Sequence, residues 1–222
     1  MNLTARSAAA TAAGLAATML ATPAFAAAEP TPPPTAAQIT VDAVTSGGGG
    51  CASPNRTVTA VNNDGTIAIR YPAIDILAGA IYNQPDGGHI FKNLARANCA
   101  VTLQLTPPVG YTYAVIRADG TGYATVPAGS TATASATYKF AGETASSTAK
   151  ATFDGPVYDT FTYSDQPAEP NWAKCDESRG LNVNLAGVVN HRDGDKSETS
   201  WLELGGLDDT LFSLKLGIKP CS

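Results

Sequence analysis

Two histidines, four cysteines and nineteen carboxylates hold most of the chemistry this 222-residue chain can offer. A serine nucleophile needs a base within hydrogen-bond reach and usually a G-x-S-x-G elbow. No such elbow occurs in the sequence. His89 sits in "PDGGHIF" and His191 in "VNHRDGDKSE", both rich in turn formers, so each reads as a solvated loop residue. The second stretch spaces Asp193, Asp195 and Glu198 as oxygen donors of the kind calcium takes. The EF-hand order is not met, however, and Lys196 intrudes, so the sequence leaves calcium binding there open. Asp208 and Asp209 in "LDDT" read as well as a polar turn as a second source of ligands. Glycosidase chemistry needs two carboxylates facing each other at a set separation. Glu143, Asp154, Asp159, Asp165, Glu169 and Glu203 are scattered, and nothing in their spacing marks a pair. "SGGGGC" from Ser46 to Cys51 has neither the lysine nor the following helix of a phosphate loop. The expectation is a protein with no catalytic residues, no metal and no cofactor.

Aromatic side chains offer a different chemistry. Exposed rings stack on the apolar faces of sugars while polar edges bond to the hydroxyls. The set is Tyr111, Tyr113, Tyr123, Tyr138, Tyr158, Tyr163, Trp172 and Trp201. Most are expected in the core, as the large members of an alanine-rich interior. Tyr111, Tyr123 and Tyr158 are the candidates for facing a ligand, and Trp172, three residues before Cys175, is expected to cover a disulfide.

Those residues must be held by strands. "CAVTLQL" puts Cys99, Val101, Leu103 and Leu105 on one face, and "STATASATYKF" sets Thr131, Thr133, Ser135 and Thr137 against Ala132, Ala134, Ala136, Tyr138 and Phe140. Similar runs recur from "ITVDAV" to "LFSLKLG", separated by Gly, Pro, Asn and Asp. "ADGTG" after Arg117 reads as a hairpin turn, which makes Arg117 and Asp119 its flanks. "AIDILAGAIYNQ" reads either as a helical turn or as a bent strand. About ten or eleven short strands without helices predict an all-β antiparallel β-sandwich, Greek-key or jelly-roll-like, with an alanine- and threonine-rich core.

The chain opens with Arg6, an apolar run and "AFA", the pattern of a secretory signal peptide over 1–26. A Pro-rich linker follows over 27–37, then a single domain over 38–222. Removing the leader leaves 13 basic against 19 acidic residues, a net charge of −6. That balance speaks against nucleic acid and anionic membranes and suits a secreted, extracellular monomer. Four cysteines in an exported chain imply two disulfides. Loop lengths and the terminal position of Cys221 favour Cys51–Cys99 with Cys175–Cys221, and the interleaved pairings stay open. Asn55 in "NRT" is a glycosylation acceptor in a eukaryotic host.

The stretches "ITVDAVTSGGGGCASPNRTVTAV", "NCAVTLQLTPPVGYTYAVIRADGTGYATV", "TFDGPVYDTFTYSD", "WAKC" and the terminal "KPC" together resemble the secreted domain-of-unknown-function family 4360, from Ile39 to Cys221. The segment "AIDILAGAIYNQPDGGHIFKN" looks longer than the family's usual one. The resemblance implies a small exported β-rich protein and brings no activity or site residues. The reading is a non-catalytic secreted β-sandwich that binds extracellular or cell-wall polysaccharide. A hydrolase of extracellular polymer using paired carboxylates and a structural envelope component are the alternatives.

Overall fold

In the computed structural model the described residues are 32–51, 57–82, 88–175, 177, 179–205 and 209–221. The leader, the start of the linker, Asn55 and Asp208 lie outside them. A short 3-10 turn, Ala36–Gln38, leads into thirteen strands among the described residues. They are β1 (Thr40–Gly47), β2 (Thr59–Asn63), β3 (Thr66–Arg70), β4 (Ile74–Ile81), β5 (Ile90–Lys92), β6 (Leu94–Thr106) and β7 (Tyr111–Val126). Then come β8 (Thr131–Phe140), β9 (Ser147–Asp154), β10 (Val157–Asp165), β11 (Leu181–Asn190), β12 (Thr199–Leu204) and β13 (Thr210–Pro220).

A five-stranded sheet runs β1-β6-β11-β8-β9 and an eight-stranded sheet runs β2-β3-β13-β7-β12-β4-β5, with β10 added to β7. All of these pairings are antiparallel. The two inner faces interlock. A Cβ added at Gly187 of β11 would come within 2.1 Å of Ile76 Cδ1 on β4 and 3.2 Å of Leu202 Cδ2 on β12. The expected alternation holds in β6, where Cys99, Val101, Leu103 and Leu105 are buried, and in β8, where the alanines are buried and the threonines are not. Threonine therefore lines the wet face of β8 rather than the core. The core keeps its alanines but is filled by Ile67, Ile69, Leu103, Leu181, Leu185, Leu202, Phe212 and Leu214, more bulky aliphatic packing than the composition suggests.

The central strand corrects the expected turn at "ADGTG". β7 runs unbroken through it. It pairs with β13 from Tyr111 to Asp119, with β12 from Gly122 to Thr125, and with β10 from Ala118 to Val126. β7 pairs with both β13 and β10 at Ala118, and with both β12 and β10 at Ala124. So β13 and β12 follow one another along one edge while β10 occupies the other. The glycines serve close approach, not chain reversal. A Cβ at Gly120 would lie 2.3 Å from the Tyr163 ring, and one at Gly122 would lie 2.5 Å from the Phe161 ring and 2.2 Å from the Glu203 carbonyl. The ambiguous "AIDILAGAIYNQ" holds strand β4.

The disulfides are Cys51–Cys99 and Cys175–Cys221, with Cα–Cα distances of 5.1 and 5.9 Å. The first ties the β1 end to β6, where Cys99 is fully buried. The second ties the chain after β10 to the end of β13.

Candidate functional site

Because side chains alternate across a strand, the buried Gly122 and Ala124 of β7 leave Tyr123 and Thr125 on the solvent side. In the paired register Tyr123 stands opposite Glu203 of β12 and Thr160 of β10, and Glu203 stands opposite Asp75 of β4. One row across the sheet thus reads Asp75, Glu203, Tyr123, Thr160. The next reads Leu77, Trp201, Thr125, Tyr158. Tyr158 is 58% exposed and Leu77 37%, and Trp201 and Tyr123 are half-buried.

Trp201 shapes this face. Its Nε1–H donates to Asp75 Oδ1 at 2.8 Å, and its ring centroid lies 5.4 Å from that of Tyr123 at an interplanar angle of 57°. Both contacts belong to the row of Glu203, so the indole leans along its own strand over that row. Partial burial, and after it the charge of Asp75, raise the Glu203 carboxyl above its ordinary range. Among the described residues neither Asp75 nor Glu203 enters an ion pair. Three of the other acids noted in the sequence are engaged singly. Asp165 accepts the Tyr138 hydroxyl at 2.7 Å, Glu143 accepts the Asn171 amide at 2.6 Å, and Asp159 accepts the Thr160 backbone N–H at 2.7 Å. The one acid pair on this face thus joins Glu203 to Asp75, which sits 128 residues away in sequence and which pattern reading did not single out.

The three candidate tyrosines divide. Tyr123 and Tyr158 share the outer face, on diagonal positions of β7 and β10. Tyr111 lies at the opposite end of β7, in a cleft of about 280 Å³ walled by Pro107, Pro108, Lys174 and Arg179. Tyr113, Tyr138 and Tyr163 are core residues, and the hydroxyls of Tyr113 and Tyr163 have no hydrogen-bond partner among the described residues. Trp172 packs toward β13, with Lys219 Nζ 4.3 Å from its ring centre and Gly217 beside it. Arg117 and Asp119, expected at a turn, form a bidentate ion pair along β7, with Nη2 to Oδ1 at 2.7 Å.

His191 departs most from the sequence reading. It is fully buried rather than solvated. Its Nε2 lies 2.8 Å from the Asp195 carbonyl, which can only accept, so Nε2 carries the proton. Nδ1 is then left with a single lone pair, shared between the hydroxyls of Ser130 at 2.8 Å and Ser200 at 2.7 Å, both themselves buried. Gly79 and Gly194 press against the ring, because a Cβ at either would lie 3.1 and 2.7 Å from it. This is a closed clip, without room for a substrate. It fastens the 191–198 loop to the start of β12, one residue before Trp201. The same loop uses Asp195 internally. Asp195 Oδ1 accepts the Ser197 N–H and hydroxyl at 2.8 and 2.7 Å, which lowers its pKa. Among the described residues no group of three or more His, Cys, Asp or Glu is placed to hold a metal. His89 is exposed, with its ring 5.1 Å from that of Tyr82.

These features define a class: a disulfide-linked protein of two packed antiparallel sheets, one bearing an aromatic and acidic outer face. The chain belongs to the family described as a domain of unknown function, DUF4360, whose pattern matches residues 37–221. An "Uncharacterized secreted protein" of Arthroderma benhamiae is 29% identical over 143 residues, covering 64% of this chain and 55% of that one. This chain thus spans about half the length of that relative. A solved structure of TmCBM61 in complex with beta-1,4-galactotriose aligns over 82% of this chain and 90% of its own, at 8% identity and a TM-score of 0.31. The protein is secreted, in keeping with its relative and its two disulfides. No helix among the described residues is long and apolar enough to cross a membrane.

Proposed function

We propose that the protein is a non-catalytic binding module for extracellular polysaccharide, released after removal of residues 1–26, and that the outer face of the large sheet is its binding surface. The observation that carries this reading is the meeting of Trp201, Tyr123 and Tyr158 on one solvent-facing patch beside Asp75, Glu203 and Thr160. Rings supply stacking area for sugar faces, and the carboxylates and the hydroxyl supply partners for sugar hydroxyls. Co-sedimentation with insoluble cell-wall polysaccharides tests it. Wild type is expected to deplete from solution, and Trp201→Ala and Tyr158→Ala each to weaken retention about tenfold, the loss of one good stacking contact. Retention unchanged in both variants, or no retention on any polymer, overturns it.

One observation favours a second reading. Glu203, raised beside Asp75, has the character of a general acid next to a carboxylate. If this pair hydrolyses polymer, new reducing ends appear on incubation and Glu203→Gln abolishes them.

A further inference from the structure

We infer that the outer face is built for glycans bearing free amino groups, polymers of glucosamine or galactosamine, rather than for neutral or N-acetylated ones. This rests on the reading of that face as a polysaccharide surface and specifies its ligand. Two like charges directly opposite one another in a sheet are destabilising. Asp75 and Glu203 hold such positions on β4 and β12. No cation among the described residues forms an ion pair with either. Among the described residues Lys92 of β5 pairs with Gly79, four residues along β4 from Asp75, or roughly 13 Å at strand rise. Arg117 is committed to Asp119.

The surroundings point the same way. The Trp201 N–H occupies Asp75 Oδ1, which leaves Oδ2 to receive a donor from outside. The indole leaning over the Glu203 row, with the Tyr123 ring beyond it, offers π faces that attract a cation as well as a sugar. An ammonium on a sugar ring stacked here reaches two carboxylates and an aromatic face together. An N-acetyl group would put an uncharged amide in the same place. A uronic acid would bring a third negative charge.

The experiment is calorimetric titration of the full chain with glucosamine oligomers and with their N-acetylated counterparts, in low and high salt and with EDTA throughout. The amino form is expected to bind about tenfold tighter at low salt, from two partly exposed charge pairs, with the preference shrinking as salt screens them. Asp75→Asn with Glu203→Gln is expected to bring the two affinities within about twofold, the amino form losing the more. Equal affinity of wild type for both oligomers, or tighter binding of the acetylated one, overturns the inference and leaves the polysaccharide reading standing. No binding of either oligomer, nor of any neutral polymer, overturns both. Removing EDTA and adding calcium separates the remaining case: if the acid pair acts through calcium, acetylated oligomers gain affinity and the inference fails.

Discussion

Replacing His191 by alanine removes a fully buried imidazole and three hydrogen bonds at once. The cost follows from what is left behind. The Asp195 carbonyl keeps a second donor, the Glu198 N–H at 3.0 Å, so it is not orphaned. The hydroxyls of Ser130 and Ser200 both lose their acceptor in a buried site, at about 1 kcal/mol each. The vacated ring space adds about 2 kcal/mol, since Gly79 and Gly194 have no side chains with which to fill it. The sum is about 4 kcal/mol, or a fall in Tm of roughly 10 °C for a domain of this size. Differential scanning calorimetry reads it, with His89→Ala as an exposed control that should not move. The clip also seats β12 beside Trp201, so in a Trp172→Phe background the Trp201 emission should shift to the red. A fall in Tm below about 2 °C would mean that the ring is wet, and the reasoning from its three partners would be refuted.

Three further outcomes test other parts of the fold. Gly122→Ala should cost about 1–3 kcal/mol in chemical denaturation, because its Cβ meets both the Phe161 ring and a backbone carbonyl; a neutral effect would show that the ring is not seated on the glycine. Cys175→Ser with Cys221→Ser opens a loop of 46 residues and should lower stability by up to about 4 kcal/mol in the chain-entropy model, with no change in the pairing of Cys51 and Cys99 on peptide mapping. Burial pushes Tyr113 up to about 12 and raises Tyr163 and Tyr138 as well, with Asp165 adding to the rise at Tyr138. The unfolded chain gives up these protons near pH 10 and the folded one keeps them, so stability is complete below pH 10 and drains away toward pH 12. Tyr113 alone accounts for roughly 3 kcal/mol of that loss. Denaturation curves across this range should fall less steeply for Tyr113→Phe.

The elements legible in the sequence are those whose meaning is local. The two-residue alternation of β6 and β8 announces which face is buried, and Cys99 belongs to that face whatever it pairs with. What escaped depends on partners far away in the chain. "ADGTG" carries turn residues, but Gly120 and Gly122 answer to Tyr163 and Phe161 on the next strand, and that demand is invisible within a short window. "NHRDGDKSE" looks like a wet hairpin tip because its own residues are polar. Ser130, Ser200 and Gly79, which close over His191, come from three other elements. The candidate site is hidden for the same reason. Tyr123 and Tyr158 were readable as aromatics, but Trp201 was one of a set, and the match of Asp75 to Glu203 exists only once β4 and β12 are in register.

The first strand carries one more consequence. β1 borders the smaller sheet, and its pairing with β6 slips between Val41 and Ala43. The slip breaks the even spacing of free amide groups along the open side of that border. On the opposite border β9 sets Lys150 in mid-strand, and the larger sheet ends in β5, only three residues long and closing on Lys92. Along these three borders a neighbouring molecule thus finds no long, flat, uncharged stretch on which to extend its own sheet. For a secreted protein, that works against fibre growth from those three edges.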